Sequence, residues 1–142
     1  SGLVVLAAIA LWAWTPVTGA RAQTTSIAAD AWSPGRVEQL RAEGRGVFVD
    51  FTAAWCVTCQ INQATTLSRP NVVQAFADDN IAYLKADWTN RNPEIATALR
   101  QFGAPGIPLY VYYPPGAEAV VLPQDRVLSE DMILHAIEGR PL

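Results

Sequence analysis

The segment Val47–Thr52 (VFVDFT) constrains the fold of this 142-residue chain more than any other stretch. Its apolar residues occupy both alternating faces of a strand, and Asp50 is its one charged residue. A strand with two apolar faces needs a covering layer on each side, which is typical of the central strands of α/β proteins. The sequence therefore predicts a sheet with helices on both faces and this strand at its centre.

Capping and turn residues divide the rest of the chain into helices and strands. Ser33 and Ser129 are typical N-caps, Gly44 and Gly139 are typical helix ends, and Pro114-Pro115-Gly116 indicates a hairpin. The predicted elements are helices over 33–44, 56–67, 70–76, 92–103 and 129–139, and strands over 47–52, 81–87, 109–113 and 119–122. With 56–67 and 70–76 counted as one helical connection, their order is α-β-α-β-α-β-β-α.

The first 31 residues differ from the rest in composition. Residues 3–14 (LVVLAAIALWAW) are continuously apolar, and as a helix they would extend roughly 18 Å, less than the ~30 Å hydrocarbon core of a bilayer. Two interpretations fit residues 1–18: the end of a transmembrane helix, or the apolar region of a signal peptide cleaved near Ala20-Arg21-Ala22. A buried core helix is a third alternative. Residues 19–31 predict a linker, and residues 32–142 predict the folded domain.

The charge of the chain argues against nucleic-acid binding. The formal net charge is −3, Lys85 is the only lysine, and the arginines are scattered from Arg21 to Arg140. The sequence therefore offers no basic cluster that would neutralise phosphates. Because 51% of the residues are hydrophobic, the chain has enough apolar surface for an ordinary core. We expect protein partners rather than nucleic acid.

The only two cysteines, Cys56 and Cys59, form a Cys-Val-Thr-Cys motif between the predicted strand 47–52 and a helix. A cysteine at a helix N-terminus meets free N–H groups and the positive end of the helix dipole, which favour the thiolate. The motif predicts a redox-active dithiol that needs no bound cofactor, with Cys56 as the exposed nucleophile and Cys59 as the deeper, resolving thiol. A structural disulfide and a zinc site are the alternatives, although zinc needs about four ligands and the only histidine, His135, lies far along the chain.

Three further positions are candidates for the site. Asp50 interrupts an apolar strand six residues before the motif, so burial should raise its pKa and suit it to accept the proton of Cys59. A solvated or capping aspartate is the alternative. Ile107 and Pro108 precede a predicted strand, where a cis proline would expose the preceding backbone to a partner chain, whereas a trans proline would only begin the strand.

The motifs taken together resemble a known family. A resemblance to the thioredoxin fold, a central mixed sheet flanked by helices, rests on Asp50-Phe51, Trp55-Cys56-x-x-Cys59 and Gly106-Ile107-Pro108. A closer resemblance, to the C-terminal periplasmic domain of the DsbD thiol:disulfide interchange proteins, rests on residues 51–59 (FTAAWCVTC), 83–90 (YLKADWTN) and 106–116 (GIPLYVYYPPG). It covers about residues 32–140.

The resemblance carries expectations about context and roles. In that family the domain follows the last helix of a membrane domain that carries electrons, so the transmembrane interpretation of residues 1–18 is favoured. The resemblance implies a monomeric domain tethered on the periplasmic side of the bacterial inner membrane. Its dithiol would take electrons from the membrane domain and pass them to an N-terminal periplasmic domain, and thence to disulfide isomerases and cytochrome c maturation factors. Asp50 would tune the thiols, Pro108 would be cis, and Trp55, Ile107 and Pro108 would bind the substrate.

One position departs from the family pattern. Relatives can carry a glutamate seven residues after the first cysteine, where Gln63 stands here. Without that negative charge we expect a Cys56 thiolate to be less opposed than in such relatives. Two rival functions use the same thiols: a free-standing exported thioredoxin-like reductase, and a non-catalytic module that binds a metal through them.

Overall fold

A computed structural model describes residues 26–142 of the chain. The predicted membrane or signal segment, residues 1–18, and most of the predicted linker lie outside the described residues. The elements are β1 (Ala29–Ala31), α1 (Pro34–Ala42), β2 (Val47–Thr52), α2 (Val57–Asn62) with a π-helical continuation (Gln63–Leu67), α3 (Pro70–Asp78), β3 (Ala82–Asp87), α4 (Pro93–Gln101), β4 (Leu109–Tyr113), β5 (Val120–Val121) and α5 (Glu130–Glu138). Over this part of the chain, each helix is too short or too polar to cross a bilayer.

The strands of the described part form one mixed sheet in the order β1-β3-β2-β4-β5. β2 lies at the centre, parallel to β3 and antiparallel to β4. The outer strands complete the sheet, with β1 parallel to β3 and β5 antiparallel to β4. The prediction that Val47–Thr52 is a central strand is therefore confirmed.

Two apolar clusters cover the two faces of the sheet. On one face Val49 and Phe51 of β2 pack with residues of α1 and α4. On the other face Phe48, which is fully buried, packs with residues of α3 and α5. Because side chains alternate along a strand, Asp50 shares the face of Phe48 and lies beneath the helices of that side. The covering layers that make β2 central therefore also bury its one carboxyl group.

One strand was not predicted, and several predicted elements have other bounds in the structure. β1 lies inside the segment 19–31 that was predicted to be a linker, and it pairs Ala29 with Tyr83 and Ala31 with Lys85. Its three residues are exposed, so no apolar alternation marks the strand in the sequence. The helix predicted over 56–67 is α-helical only to Asn62 and then π-helical. The strand predicted over 119–122 is reduced to Val120–Val121.

Candidate active site

The two cysteines lie at the junction between β2 and α2. Cys56 is the N-cap of α2, Cys59 lies in its first turn, and a disulfide joins them with their Cα atoms 5.2 Å apart. The main-chain N–H of Cys59 donates a hydrogen bond to Cys56 Sγ at 3.2 Å. A sulfur that accepts a helix N-terminal N–H is stabilised as the thiolate once the disulfide is reduced. The structure thus places the dithiol where the sequence predicted it.

Both cysteines are less accessible than the sequence suggested. The exposed fraction is 8% for Cys56 and 3% for Cys59, and both pack with Ala53 and Ile107. The expectation that Cys56 is an exposed nucleophile is corrected in degree, because Ile107 arrives from a distant part of the chain and packs on the motif. Cys56, the predicted nucleophile, is the more accessible of the two residues.

The segment before β4 lies beside the motif. The peptide bond between Ile107 and Pro108 is cis, as the resemblance implied. Pro108 lines a groove of about 280 Å³, which it shares with Thr58 from the motif and Asn62 from the end of α2. The structure therefore brings Ile107 and Pro108 next to the disulfide.

Asp50 is buried in β2, with 2% of its surface exposed. Burial raises its pKa from 3.8 to about 6, although the hydrogen bond from Tyr83 and the positive charge of Lys85 both act to lower it. The Tyr83 hydroxyl lies 2.5 Å from Asp50 Oδ2. Among residues 26–142, Asp50 Oδ1 has no hydrogen-bond partner. A carboxyl with a pKa near 6 changes its protonation state close to neutral pH.

Tyr83 and Gln63 join Asp50 in the structure, a cluster that the sequence patterns did not predict. The buried Tyr83 hydroxyl lies 3.1 Å from Gln63 Oε1. Burial and the negative charge of Asp50 raise the pKa of Tyr83, so its hydroxyl keeps its proton. Gln63 begins the π-helical segment, and its main-chain N–H donates to the carbonyl of Cys59. The one sequence signal for Tyr83 is a hydroxyl at a core-facing position of a strand.

Trp55 forms the exposed rim of the motif, with 47% of its surface accessible. The guanidinium of Arg91 lies 4.6 Å from the ring centre of Trp55 and 4.6 Å from that of Trp88. The φ angle of Arg91 is 57°, in the left-handed region. This backbone conformation of the turn directs the Arg91 side chain toward the two rings. Sequence reasoning missed Arg91, because nothing in the local pattern distinguishes it from a solvated surface charge.

One threonine connects the end of β3 to the loop before the motif. The N–H of Ala54 donates to Thr89 Oγ1 at 2.8 Å, and the indole N–H of Trp55 donates to the carbonyl of Thr89 at 3.1 Å. The Thr89 hydroxyl in turn donates to Asp87 Oδ1 at 2.5 Å. The main-chain N–H of Thr89 donates to the same oxygen, and the two hydrogen bonds together lower the pKa of Asp87. The loop that presents Trp55 is therefore held by β3 as well as by α2.

The zinc alternative finds no support in the described part of the chain. Within residues 26–142 there is no group of three or more His, Cys, Asp or Glu side chains that could hold a metal ion. His135 lies on α5, with Nδ1 2.8 Å from the carbonyl of Pro141. A tetrahedral site would need about four ligands close together.

A family model described as thioredoxin-like matches residues 28–115. The chain belongs to the thioredoxin-like family. Among curated proteins, the "Thiol:disulfide interchange protein DsbD" of Pseudomonas fluorescens is 32% identical over 95 residues, which are 66% of this chain and 16% of that protein. The protein of the same name from Yersinia pestis is 36% identical over 73 residues, 51% of this chain and 12% of that one. The chain thus spans only about a sixth or less of these relatives.

Solved structures agree with this membership. The oxidised C-terminal domain of DsbD from Neisseria meningitidis is similar with a TM-score of 0.61 and 22% identity, covering 80% of this chain and 100% of that one. A thioredoxin from Thermus thermophilus has a TM-score of 0.61 and 21% identity, covering 80% and 86%. Identities this low show the fold, so the predicted thioredoxin fold is confirmed. The resemblance to the DsbD proteins that the motifs indicated is confirmed by the sequence relatives.

The thioredoxin-like fold explains the geometry of this site. It ends a central strand just before a helix N-terminus, and it sets a proline-containing segment alongside. Here those two features hold Cys56 and Ile107 in contact. A disulfide at a helix terminus with a groove beside it is an arrangement that suits thiol–disulfide exchange.

Proposed function

We propose that this domain is a thiol–disulfide oxidoreductase that reduces protein disulfides through Cys56 and Cys59. The observation that carries the proposal is the hydrogen bond from the N–H of Cys59 to Cys56 Sγ at the N-terminus of α2. That contact favours the thiolate of Cys56, which is the attacking and the leaving sulfur in exchange reactions. The names of the DsbD relatives support the same reaction class.

The reaction has two steps. The thiolate of Cys56 attacks a disulfide of the partner, and one partner sulfur leaves with the electron pair of the broken bond. Cys59 then attacks Cys56 Sγ, which releases the second partner sulfur and leaves the Cys56–Cys59 disulfide. The proton of the Cys59 thiol goes to the carboxylate of Asp50, whose pKa of about 6 suits it to accept a proton near neutral pH. Two electrons pass from the dithiol to the partner.

Trp55, Ile107 and Pro108 are the residues that we assign to substrate binding. Trp55 is half exposed at the rim, and Pro108 lines the groove beside the motif. An extended segment of the partner would lie along Ile107 and Pro108 with its disulfide toward Cys56. The half-exposed ring of Trp55 would cover the partner from the opposite side.

The electron donor and acceptor that we propose are those that the resemblance to the DsbD proteins implies. In this proposal the dithiol is reduced by a membrane-domain dithiol and reduces an N-terminal periplasmic domain of a DsbD-like protein. Residues 1–18 would anchor the domain on the periplasmic side of the bacterial inner membrane, and the domain would act as a monomer. A free-standing exported reductase would use the same chemistry with other partners.

The test is to trap the intermediate. A Cys59→Ala variant cannot resolve the mixed disulfide, so after reduction it should accumulate covalent adducts with glutathione disulfide. It should also trap the oxidised N-terminal domain of the Pseudomonas fluorescens relative. The matched Cys56→Ala variant should form far less of either adduct, because it lacks the nucleophile. Adducts with glutathione only would leave the reaction class standing and contradict the proposed partner.

The direction of electron flow is tested by the equilibrium potential. We expect a value more reducing than that of the glutathione pool, as required of a protein that donates electrons to disulfides. A value near the strongly oxidising end, about −120 mV, would contradict a reductant. Titration of the reduced domain with zinc, compared with thiol titration, separates the exchange function from a metal-binding module.

A further inference from the structure

The hydroxyl of Tyr83 has one proton to donate and lies close to two acceptors. It lies 2.5 Å from Asp50 Oδ2 and 3.1 Å from Gln63 Oε1. A phenol donates a single hydrogen bond and can accept others. Both contacts therefore become hydrogen bonds only if one neighbour donates to the Tyr83 oxygen.

Two arrangements satisfy this requirement. When Asp50 is neutral, its own O–H donates to the Tyr83 oxygen, and Tyr83 donates to Gln63 Oε1. When Asp50 is charged, Tyr83 donates to the carboxylate, and Gln63 must turn its amide so that Nε2–H donates to the Tyr83 oxygen. The side-chain amide of Gln63 lies within hydrogen-bond distance of Tyr83 and can present either its oxygen or its nitrogen to the hydroxyl. A half turn of the Gln63 side-chain amide converts one hydrogen-bond arrangement into the other.

Gln63 has the space for that turn. Its side chain lines an open cleft of about 210 Å³, together with Gln60 and Lys85. The half of the Gln63 amide that turns away from Tyr83 would thus face solvent rather than a packed core. On the main-chain side Gln63 is fixed, because its N–H donates to the carbonyl of Cys59. Through Gln63 and Tyr83, the turn of helix that carries the resolving cysteine is connected to Asp50.

The other polar groups around Asp50 form no hydrogen bond to its carboxyl among the described residues. Lys85, in register with Asp50 on the adjacent strand, lowers the pKa of Asp50 through its charge. Tyr110, in register on the other side, has its pKa raised by burial and by the charge of Asp50, and its hydroxyl accepts from Asn62 Nδ2 at 3.0 Å. Among the described residues, the Tyr83 hydroxyl is the only group hydrogen-bonded to the Asp50 carboxyl.

We propose that Tyr83 and Gln63 are positioning residues that form a reversible hydrogen-bond chain, which stabilises Asp50 in both protonation states as it exchanges a proton with Cys59. This inference rests on the proposed thiol–disulfide exchange. During resolution the Cys59 proton moves to Asp50, and the chain reverses its direction as the carboxyl becomes neutral. When the dithiol is reduced again, the proton returns to the Cys59 sulfur and the chain reverses back.

The first test uses the oxidised wild-type domain, in which no thiol titrates. The carbon-13 shift of the Asp50 carboxyl and the side-chain NH₂ signals of Gln63 are followed by NMR across the pH range 4 to 8. We expect both to titrate with one midpoint, because protonation of Asp50 turns the Gln63 amide. Gln63 signals that stay constant through the Asp50 midpoint would overturn the proposal. This result does not depend on whether the domain exchanges disulfides with any partner.

The second test removes the Tyr83 hydroxyl, which is the middle of the hydrogen-bond chain. In Tyr83→Phe both forms of Asp50 lose a partner, but the charged form loses more because hydrogen bonds to charged groups are stronger, so the midpoint of Asp50 should rise by about one pH unit. The Gln63 signals should then cease to follow Asp50. The matched control is Tyr110→Phe, which also removes a buried hydroxyl in contact range of β2 but not one that is bonded to Asp50. Equal shifts in the two variants would mean a general loss of packing and would overturn the proposal.

A kinetic measurement links the chain to the reaction. The rate at which the mixed disulfide with glutathione is resolved should shift its pH profile in Tyr83→Phe by the same amount as the Asp50 midpoint. A uniform loss of rate at every pH would indicate structural damage and contradict the positioning role. If the wild-type domain shows the coupled titration but no exchange at all, the hydrogen-bond chain stands and the proposed function fails. If Tyr83→Phe does not fold, the wild-type titration alone decides.

Discussion

Cys56 Sγ accepts a hydrogen bond from the main-chain N–H of Cys59, 3.2 Å away, at the first turn of α2. Cys59 lies three residues further into α2, so the helix terminus favours its thiolate less than that of Cys56. We therefore expect iodoacetamide to label Cys56 of the reduced domain at least about tenfold faster than Cys59 at pH 7. Peptide mass spectrometry after timed quenching measures both rates. Equal rates would mean that the helix terminus does not distinguish the two thiols.

Asp50→Asn should stabilise the oxidised domain above pH 6. The folded pKa of Asp50, about 6, is above its ordinary value of 3.8, so folding is opposed by ionisation of this group. The stability it contributes is complete below pH 4 and is lost as the pH rises through 6. A rise of about two pKa units corresponds to about 3 kcal/mol, which is the upper limit of the gain in Asp50→Asn. Urea unfolding at pH 4, 6 and 8 gives the free energies.

Asp87→Asn is the matched control for this prediction. Its hydrogen bonds from Thr89 lower the pKa of Asp87, so its contribution has the opposite sign. That contribution is present above the unfolded pKa and disappears as the pH falls through the folded one. Asp87→Asn should therefore destabilise the domain at neutral pH and approach the wild-type stability in acid. The Asp50 prediction is wrong if both variants change stability in the same direction.

Local patterns in the sequence were enough to predict the central strand Val47–Thr52, the helix that follows it and the dithiol at the start of that helix. Asp50 could be singled out because a charge in the apolar segment Val47–Thr52 is anomalous whatever the fold. The dithiol could be assigned because a short sequence contains both the cysteines and the helix start. These inferences needed neighbours in sequence only.

The partners of these residues could not be predicted, because the fold brings them from elsewhere in the chain. Tyr83 reaches Asp50 across the pairing of β2 with β3, and Gln63 reaches Tyr83 from a helix above the sheet. Strand β1 was missed because an exposed edge strand of three residues has no apolar alternation. Arg91 looks like any surface arginine until the turn folds it between two tryptophans.

Arg91 should hold Trp55 in place for the substrate. Its guanidinium lies 4.6 Å from the rings of both Trp55 and Trp88, an arrangement worth about 1 kcal/mol at an exposed site. Arg91→Asn removes the cation, and asparagine tolerates the left-handed backbone at this position. We expect a change in tryptophan fluorescence, a loss of about 1 kcal/mol in stability, and a higher KM for a disulfide substrate with little change in kcat.

Arg41→Gln tests whether that kinetic effect is specific. Arg41 also lies over an aromatic ring, 5.0 Å from the centre of Tyr113, but on another part of the surface. This variant should lose at least as much stability, since it removes both this contact and the hydrogen bond that Arg41 donates to the carbonyl of Ala117 at 2.9 Å, and it should keep the wild-type KM. If both variants raise KM equally, Arg91 acts through general stability rather than through Trp55.

Thr89→Val should slow the exchange reaction through the loop before the motif. The substitution keeps the shape of the side chain but removes the oxygen that accepts from the N–H of Ala54 at 2.8 Å. An N–H left without a partner costs about 1–3 kcal/mol, unless the loop moves to reach water. Because Trp55 and Cys56 follow Ala54 directly, that movement displaces the rim of the site. The pKa of Asp87 should also rise toward its ordinary value, since the same hydroxyl donates to its carboxylate.

Thr89→Ser provides the comparison, because it keeps the hydroxyl and loses only a methyl group. We expect Thr89→Ser to retain most of the wild-type rate of glutathione disulfide reduction and Thr89→Val to lose most of it, with the Asp87 carboxyl titration shifted in Thr89→Val alone. If the two variants are equally slow, the methyl group and not the hydrogen bond to Ala54 positions the loop. If both keep the full rate, the loop before the motif is held by α2 and the indole bond from Trp55 to Thr89 without help from the hydroxyl.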